Sequence, residues 1–258
     1  MTLEYSPLGL IGMLTPQANT TVEPEFSLLC PQGFAFINAR LTSRKDTIEA
    51  RLVDYWQTIE TTLDQFANAP IAAYAFGCTG TSYLVGAEAE QQVVAKLEAA
   101  RGVPFITSAR AVVDALNTLA ARRIGLVSPY PPDLTEASIA FWQGCGFEVA
   151  EVSNAFNPGS AFHPIYSLPA ASARDGLAQM KTRNLDAVVM LGTGMPTLAP
   201  ILEAAKDGGP PVMSCMLCLG WRTVEAVKGV EPDRAGLERW LAGDGWGARL
   251  TAHRIDGA

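Results

Sequence analysis

Ile11-Gly12-Met13-Leu14-Thr15-Pro16 returns in the second half of the chain as Ile124-Gly125-Leu126-Val127-Ser128-Pro129, an apolar run that breaks on a hydroxyl residue and a proline. Cys78-Thr79-Gly80 is matched in the same order by Gly192-Thr193-Gly194, and Pro104-Phe105-Ile106-Thr107-Ser108 by Pro211-Val212-Met213-Ser214-Cys215. Three ordered matches mark an internal duplication. Around them, short apolar runs ending in Gly, Ser, Thr or Pro alternate with longer helix-period segments, the pattern of a parallel α/β sheet. Strands are expected at 8–14, 34–39, 71–76 and 103–106, then at 124–127, 147–152, 187–191 and 211–214. Long helices fit 46–67, 83–101, 109–121, 133–145, 170–183 and 220–227; in the second, Leu84, Ala87, Val94 and Leu97 recur at helical spacing. The expected fold is α/β, with two similar lobes, each a four-stranded parallel sheet flanked by helices. A pseudo-twofold axis relates the lobes, and the active site lies in the cleft between them. Residues 1–107 form the first lobe and 108–215 the second, while 216–258 pack back on the first.

Composition narrows the function classes. The 258 residues are 48% hydrophobic and 17% charged, enough apolar surface for two modest domains and too much for a disordered chain. Nineteen Lys and Arg against 26 Asp and Glu leave a net charge of −7, the wrong sign for gathering phosphates over a wide surface, so no nucleic-acid partner is expected. The N-terminus lacks a basic n-region, residues 8–14 are too short for a membrane span, and no later run reaches roughly 18 apolar residues. These features predict a cytoplasmic protein without a membrane partner. Five cysteines, an odd number, fit reduced thiols better than a disulfide framework. Self-association into a homo-oligomer is compatible with this composition.

In parallel sheets, ligands bind beyond the carboxyl ends of the strands, where helix N-termini present unpaired N–H groups. Four segments land there: 15–21, 77–82, 128–131 and 192–197. None contains Lys or Arg. A surface of Gly, Ser, Thr, Asn and Tyr suits a small carboxylate held by N–H and hydroxyl donors, as in an oxyanion hole. Cys78 follows an apolar strand and opens Thr79-Gly80-Thr81-Ser82, so its thiol is expected at a helix N-terminus with a lowered pKa, able to act as nucleophile or proton donor. The bland alternative is a small buried hydrophobe. Cys30 and Cys145 lack a donor-rich setting. Cys215-Met216-Leu217-Cys218 has redox or zinc spacing but stands without further ligands, so no metal is expected, although Cys215 follows a strand and is placed to reach the cleft.

Two histidines leave little room for a Ser-His-Asp or Cys-His mechanism. His253 falls in a tail, whereas His163 follows a second-lobe strand in a polar loop. Tyr130 sits directly after a strand, where its phenol can face the cleft or pack. Asn19 offers an amide to a ligand or caps the next helix. There is no Walker loop, HExxH or complete GxGxxG, so no cofactor is expected.

On Ile11 to Pro16 with Asn19-Thr20-Thr21-Val22-Glu23, on Cys78 to Ser82, on Ser128-Pro129-Tyr130 and on Gly192-Thr193-Gly194, the chain resembles the aspartate/glutamate racemase superfamily in its maleate isomerase and arylmalonate decarboxylase branch. The resemblance runs over nearly the whole chain and implies cofactor-free chemistry on small carboxylates. It places Cys78 at the first-lobe thiol, Asn19 and Tyr130 at substrate-binding positions, and Thr79 and Thr193 in a carboxylate cradle that Gly80, Thr81, Ser82 and Gly194 extend. His163 lies near a position where maleate isomerases use asparagine. One position departs: the second-lobe cysteine is Gly192. Arylmalonate decarboxylase looks like the mirror image, with glycine in the first lobe and cysteine in the second.

Racemisation exchanges protons on both faces of a carbon, which glycine cannot do, so an Asp/Glu/hydantoin-type racemase is disfavoured. Decarboxylation of a small dicarboxylate needs one donor and is expected first. Isomerisation of a maleate-type acid through a covalent Cys78 adduct is second, with Cys215, His163 or water replacing the missing thiol. A binding protein that has lost its catalytic pair is the reading from another class, and a nucleotide-binding protein is more distant.

Overall fold

The computed structural model describes residues 3–159 and 163–253; Ala161-Phe162 of the His163 loop and the end of the 216–258 segment lie outside them. The first sheet contains β1 (Gly9–Pro16), β2 (Phe34–Leu41), β3 (Ile71–Phe76) and β4 (Phe105–Thr107) in the order β2-β1-β3-β4. The second repeats that order with β5 (Arg123–Ser128), β6 (Glu148–Asn154), β7 (Ala187–Met190) and β8 (Val212–Ser214) as β6-β5-β7-β8. Every strand pair is parallel. The duplicated hexapeptides become β1 and β5, each between two neighbours, which explains their unbroken apolar character: Ile11 to Pro16 and Ile124 to Ser128 are all buried.

Helices α1 (Val22–Leu29), α2 (Ile48–Gln57), α3 (Ile59–Leu63), α4 (Thr79–Val85), α5 (Ala87–Arg101) and α6 (Ser108–Thr118) accompany the first sheet in sequence. Helices α7 (Pro132–Gly144), α8 (Ala170–Gln179), α9 (Leu198–Ala204), α10 (Cys215–Lys228), α11 (Arg234–Leu241) and α12 (Trp246–His253) follow. The helix expected over 46–67 is divided into α2 and α3 at Thr58, whose φ of −103° and ψ of 13° are not helical and whose hydroxyl donates to the Asp54 carbonyl at 2.8 Å. The helix expected over 83–101 starts earlier, at Thr79, and is interrupted at Gly86, whose φ of +82° is not helical. His253 ends α12 rather than lying in a tail, and it is exposed. Helix α10 begins at Cys215, ahead of the expected start, because the Ser214 hydroxyl caps it by accepting Leu217 N–H at 3.1 Å.

The C-terminal helices tie the lobes together. Helix α10 packs on α6, α1 and β3 and also touches β8, while α12 lies against α1 of the first lobe and α9 of the second. Arg249 of α12 donates to the Leu28 and Leu29 carbonyls at 2.7 and 3.2 Å, satisfying the C-terminal end of α1. Among the described residues, no helix is long and apolar enough to cross a membrane.

Candidate active site

The ends of β3 and β7 face each other between the sheets. They enclose a cavity of about 20 Å³ lined by Cys78, Thr79 and Gly80 from the first lobe and Tyr130, Gly192, Thr193 and Gly194 from the second. Ile48, Leu52, Leu134, Ile165 and Tyr166 complete its walls. That volume holds one water, so the lobes are closed on each other. A roomier groove of about 400 Å³ beside Arg174 and Glu203 shares no wall residue with it and carries none of the cleft chemistry.

Cys78 is the N-cap of α4, buried but bordering the cavity. Its Sγ lies 3.2 Å from Thr81 Oγ1, which donates to the Leu52 carbonyl at 3.1 Å. The expectation of a lowered pKa is not met: burial pushes the thiol up to about 11, against weaker pulls from the Thr81 hydroxyl and N–H. Without a cation beside it, the buried sulfur is favoured as a neutral thiol.

The second-lobe wall is built around Gly192, with φ +81°. A Cβ there would meet Pro129 Cγ and Tyr130 Oη, both at 3.1 Å, so the hydroxyl of Tyr130 fills the space in which a side chain at 192 would start. Tyr130 is buried, and burial holds its phenol well above the ordinary value; the hydroxyl makes no hydrogen bond within the described residues. It is therefore a protonated donor facing the cavity. The N–H groups of Thr193 and Gly194 likewise have no partner among the described residues, and those of Thr79 and Gly80 lie in the first turn of α4, where no intrahelical acceptor exists. These are neutral donors, of the kind that can hold a carboxylate.

The expected ligand-facing residues thus divide. Cys78, Thr79, Gly80, Tyr130, Gly192, Thr193 and Gly194 are brought together. Thr81 and Ser82 are turned inward: Thr81 bonds as above, and Ser82 donates to Glu90 of α5 at 2.5 Å. Asn19 is not a cavity wall either. Its Oδ1 accepts Thr21 and Val22 N–H at 2.8 and 3.1 Å, and its Nδ2 donates to the Thr193 carbonyl at 3.2 Å, so the amide caps α1 and fastens the second lobe. Thr21 reaches the Gly194 carbonyl at 2.8 Å, and the Thr193 hydroxyl reaches the Gly77 carbonyl at 2.7 Å. His163 lines an adjoining chamber with Arg51, Tyr55 and Tyr166. Sequence reading missed those three, because α2 and the loop before α8 reach the cleft only through tertiary packing.

Cys215 stands one layer behind. It is fully buried, and burial pushes its thiol up to about 11. It does not line the cavity. Cys30 and Cys145 are half-buried and outside the site. Among the described residues, no group of three or more His, Cys, Asp or Glu is placed to hold a metal.

The profile of the arylmalonate decarboxylase family matches residues 11–239. The chain is 25% identical to a maleate isomerase from Pseudomonas putida over 249 residues, which cover 90% of this chain and 97% of that one. Among solved structures, the maleate isomerase of Pseudomonas putida S16 with maleate superposes with a TM-score of 0.79 at 21% identity, over 92% of this chain and 98% of the other. Arylmalonate decarboxylase superposes with a TM-score of 0.69 at 22% identity, over 90% and 98%. The two structural likenesses establish the shared two-lobe fold.

Proposed function

The chain belongs to the arylmalonate decarboxylase family, and on that premise we propose that it is a cofactor-independent enzyme that decarboxylates a small malonate-type acid with Cys78 as proton donor. The observation that carries this reading is a neutral thiol that faces glycine, not a second thiol, across the cavity. One carboxylate of the acid rests on the Thr193 and Gly194 N–H groups and the Tyr130 hydroxyl. The C–C bond to the other breaks, CO₂ leaves along the apolar wall of Ile48, Leu52, Leu134 and Ile165, and the electron pair passes into an enediolate. The same donors stabilise that charge as it develops. Sγ–H then protonates the carbon, and the thiolate regains a proton from water.

A second reading has support from the similarity to maleate isomerases across most of the chain. There the thiolate adds to the alkene of a cis-dicarboxylate, the new single bond rotates, and elimination restores the thiolate. The two readings differ in pH dependence. A thiol that titrates near 11 gives a donor-dependent rate that is level through neutrality and falls on the alkaline side; a thiolate-dependent rate climbs over the same range.

Incubation with phenylmalonate, methylmalonate analogues and maleate in D₂O tests the proposal. CO₂ release with deuterium delivered to one face is expected, and Cys78→Ala is expected to lower kcat by about 10²–10⁴-fold. Fumarate from maleate without CO₂ replaces the first reading by the second. Tight binding without turnover, with Cys78 merely shielded from iodoacetamide, would make the protein a carboxylate-binding module.

A further inference from the structure

A second chamber adjoins the thiol cavity, and the two share Ile48, Leu52 and Tyr166 as walls. Gln17, Ala18, Arg51, Tyr55 and His163 line the rest of it. Among the described residues, Arg51 is the only Lys or Arg on either lining. Its Nε and Nη2 donate to the Lys45 and Asp46 carbonyls at 2.7 and 3.0 Å, which fixes the guanidinium in place. No carboxylate pairs with it among the described residues, unlike the paired Arg40, Arg101, Arg123, Arg174, Arg222 and Arg234.

His163 is oriented to the same end. Its ring stacks on Tyr166 at 3.9 Å and 13°, and its Nδ1 accepts Ile165 and Tyr166 N–H at 3.2 and 3.4 Å. With Nδ1 occupied, the proton of the neutral ring is on Nε2, a donor. Burial and the Arg51 charge keep the ring neutral, its pKa lowered to about 4. Tyr55 lines the outer chamber and Tyr166 lines both, between the thiol cavity and Arg51 in the shared wall.

We infer that this outer chamber binds a second, distal anionic group of the substrate and that Arg51 is the residue that selects for it. The inference rests on the Cys78 cavity being the reaction site. The inner cradle has only neutral donors, so it holds one carboxylate without counting the substrate's charges. A fixed, unpaired guanidinium one chamber outward does count them, and its planar fork matches a carboxylate. The substrate therefore carries an anionic group that stands away from the carbon facing Cys78, in addition to the carboxylate held in the inner cradle. For a malonate-type acid that is a third anionic group, at the end of the substituent; for a butenedioate it is the second carboxylate, at the other end of the alkene.

Calorimetric binding of succinate and glutarate, compared with butyrate and valerate, tests this in the full chain at neutral pH. The wild type is expected to prefer the dicarboxylates by about tenfold or more, the scale of one charge-assisted hydrogen bond. Arg51→Gln is expected to bring the ratio near one, and Arg51→Lys, which keeps the charge without the fork, to fall between. No preference in the wild type, or a wild-type ratio in Arg51→Gln, overturns the inference. Equal weakening of both ligand classes in Arg51→Gln also overturns it, since that marks a residue holding up the 45–46 loop. Repeating the titrations in Cys78→Ala separates the two proposals: the preference survives there if the chamber is assigned correctly, whatever becomes of turnover.

Discussion

In the proposed reaction, Gly192 matters by what it leaves out. At φ +81°, a side chain is strained by about 1–3 kcal/mol whatever space surrounds it, and the space is already taken by Pro129 and Tyr130. Gly192→Cys is therefore expected to lower stability by that order, read as a shift in denaturant midpoint, and to leave α-proton exchange confined to one face. A Gly192→Cys protein as stable as wild type would show that the backbone can relax there. The thiol it faces was legible in the sequence as the residue that follows the β3 run and opens a donor-rich turn. Its protonation was not, because burial and the lack of a neighbouring cation are properties of the packed cleft. The same holds for Thr81 and Ser82: their position after the strand is read from spacing, but whether a hydroxyl faces ligand or protein depends on Leu52 and Glu90, distant in sequence.

Among the elements, the strands were the readable ones. Most are short apolar runs, and β3 falls where expected, residue for residue. The short helices α1, α9, α11 and α12 were not, since seven or eight residues, with Pro24 in α1 and Pro200 in α9, carry too little period to register. Helix α1 repays attention to its N-terminus. The Asn19 amide caps it and at the same time donates across the cleft to Thr193. Asn19→Ala removes the cap and leaves the Thr193 carbonyl without that donor, so a loss of about 1–3 kcal/mol is expected in chemical denaturation, along with weaker carboxylate binding from a displaced 193–194 cradle. Asn19→Asp keeps the cap and loses the cross-lobe donor, so it isolates the second effect. If Asn19→Ala unfolds like wild type, the amide is not a cross-lobe tie.

At the scale of the molecule, hydrogen bonds from residues 19–25 to residues 193–198 join the two lobes in addition to the C-terminal helices. Glu25 takes part in these. It is fully buried on α1, and its Oε1 accepts Thr197 N–H at 2.5 Å and Leu198 N–H at 3.2 Å from the opposite lobe. Thr197 in turn donates to Ser214, the cap of α10, at 2.8 Å. Burial raises the Glu25 pKa to about 7, although those bonds pull it down. The folded protein thus keeps its proton where the unfolded chain, at 4.5, has released it. Stability from this group is complete below pH 4.5 and is lost as pH rises through 7, by ~3 kcal/mol at most. Glu25→Gln keeps an acceptor and abolishes the titration, so the difference in unfolding free energy between it and wild type is expected to change between pH 5 and 8. His163, present in both proteins, drops out of that comparison. A difference that stays constant with pH would place the titrating group elsewhere. The duplication made the two-lobe plan visible in sequence, whereas these bonds join segments with no shared pattern.

The left-handed glycine and the phenol pressed against it also bear on descent. A side chain at position 192 starts from a left-handed backbone and meets Pro129 and Tyr130 at 3.1 Å, so a thiol there is costly unless Tyr130 gives by a few tenths of an ångström. A one-thiol wall is therefore easier to keep than to replace by a single substitution.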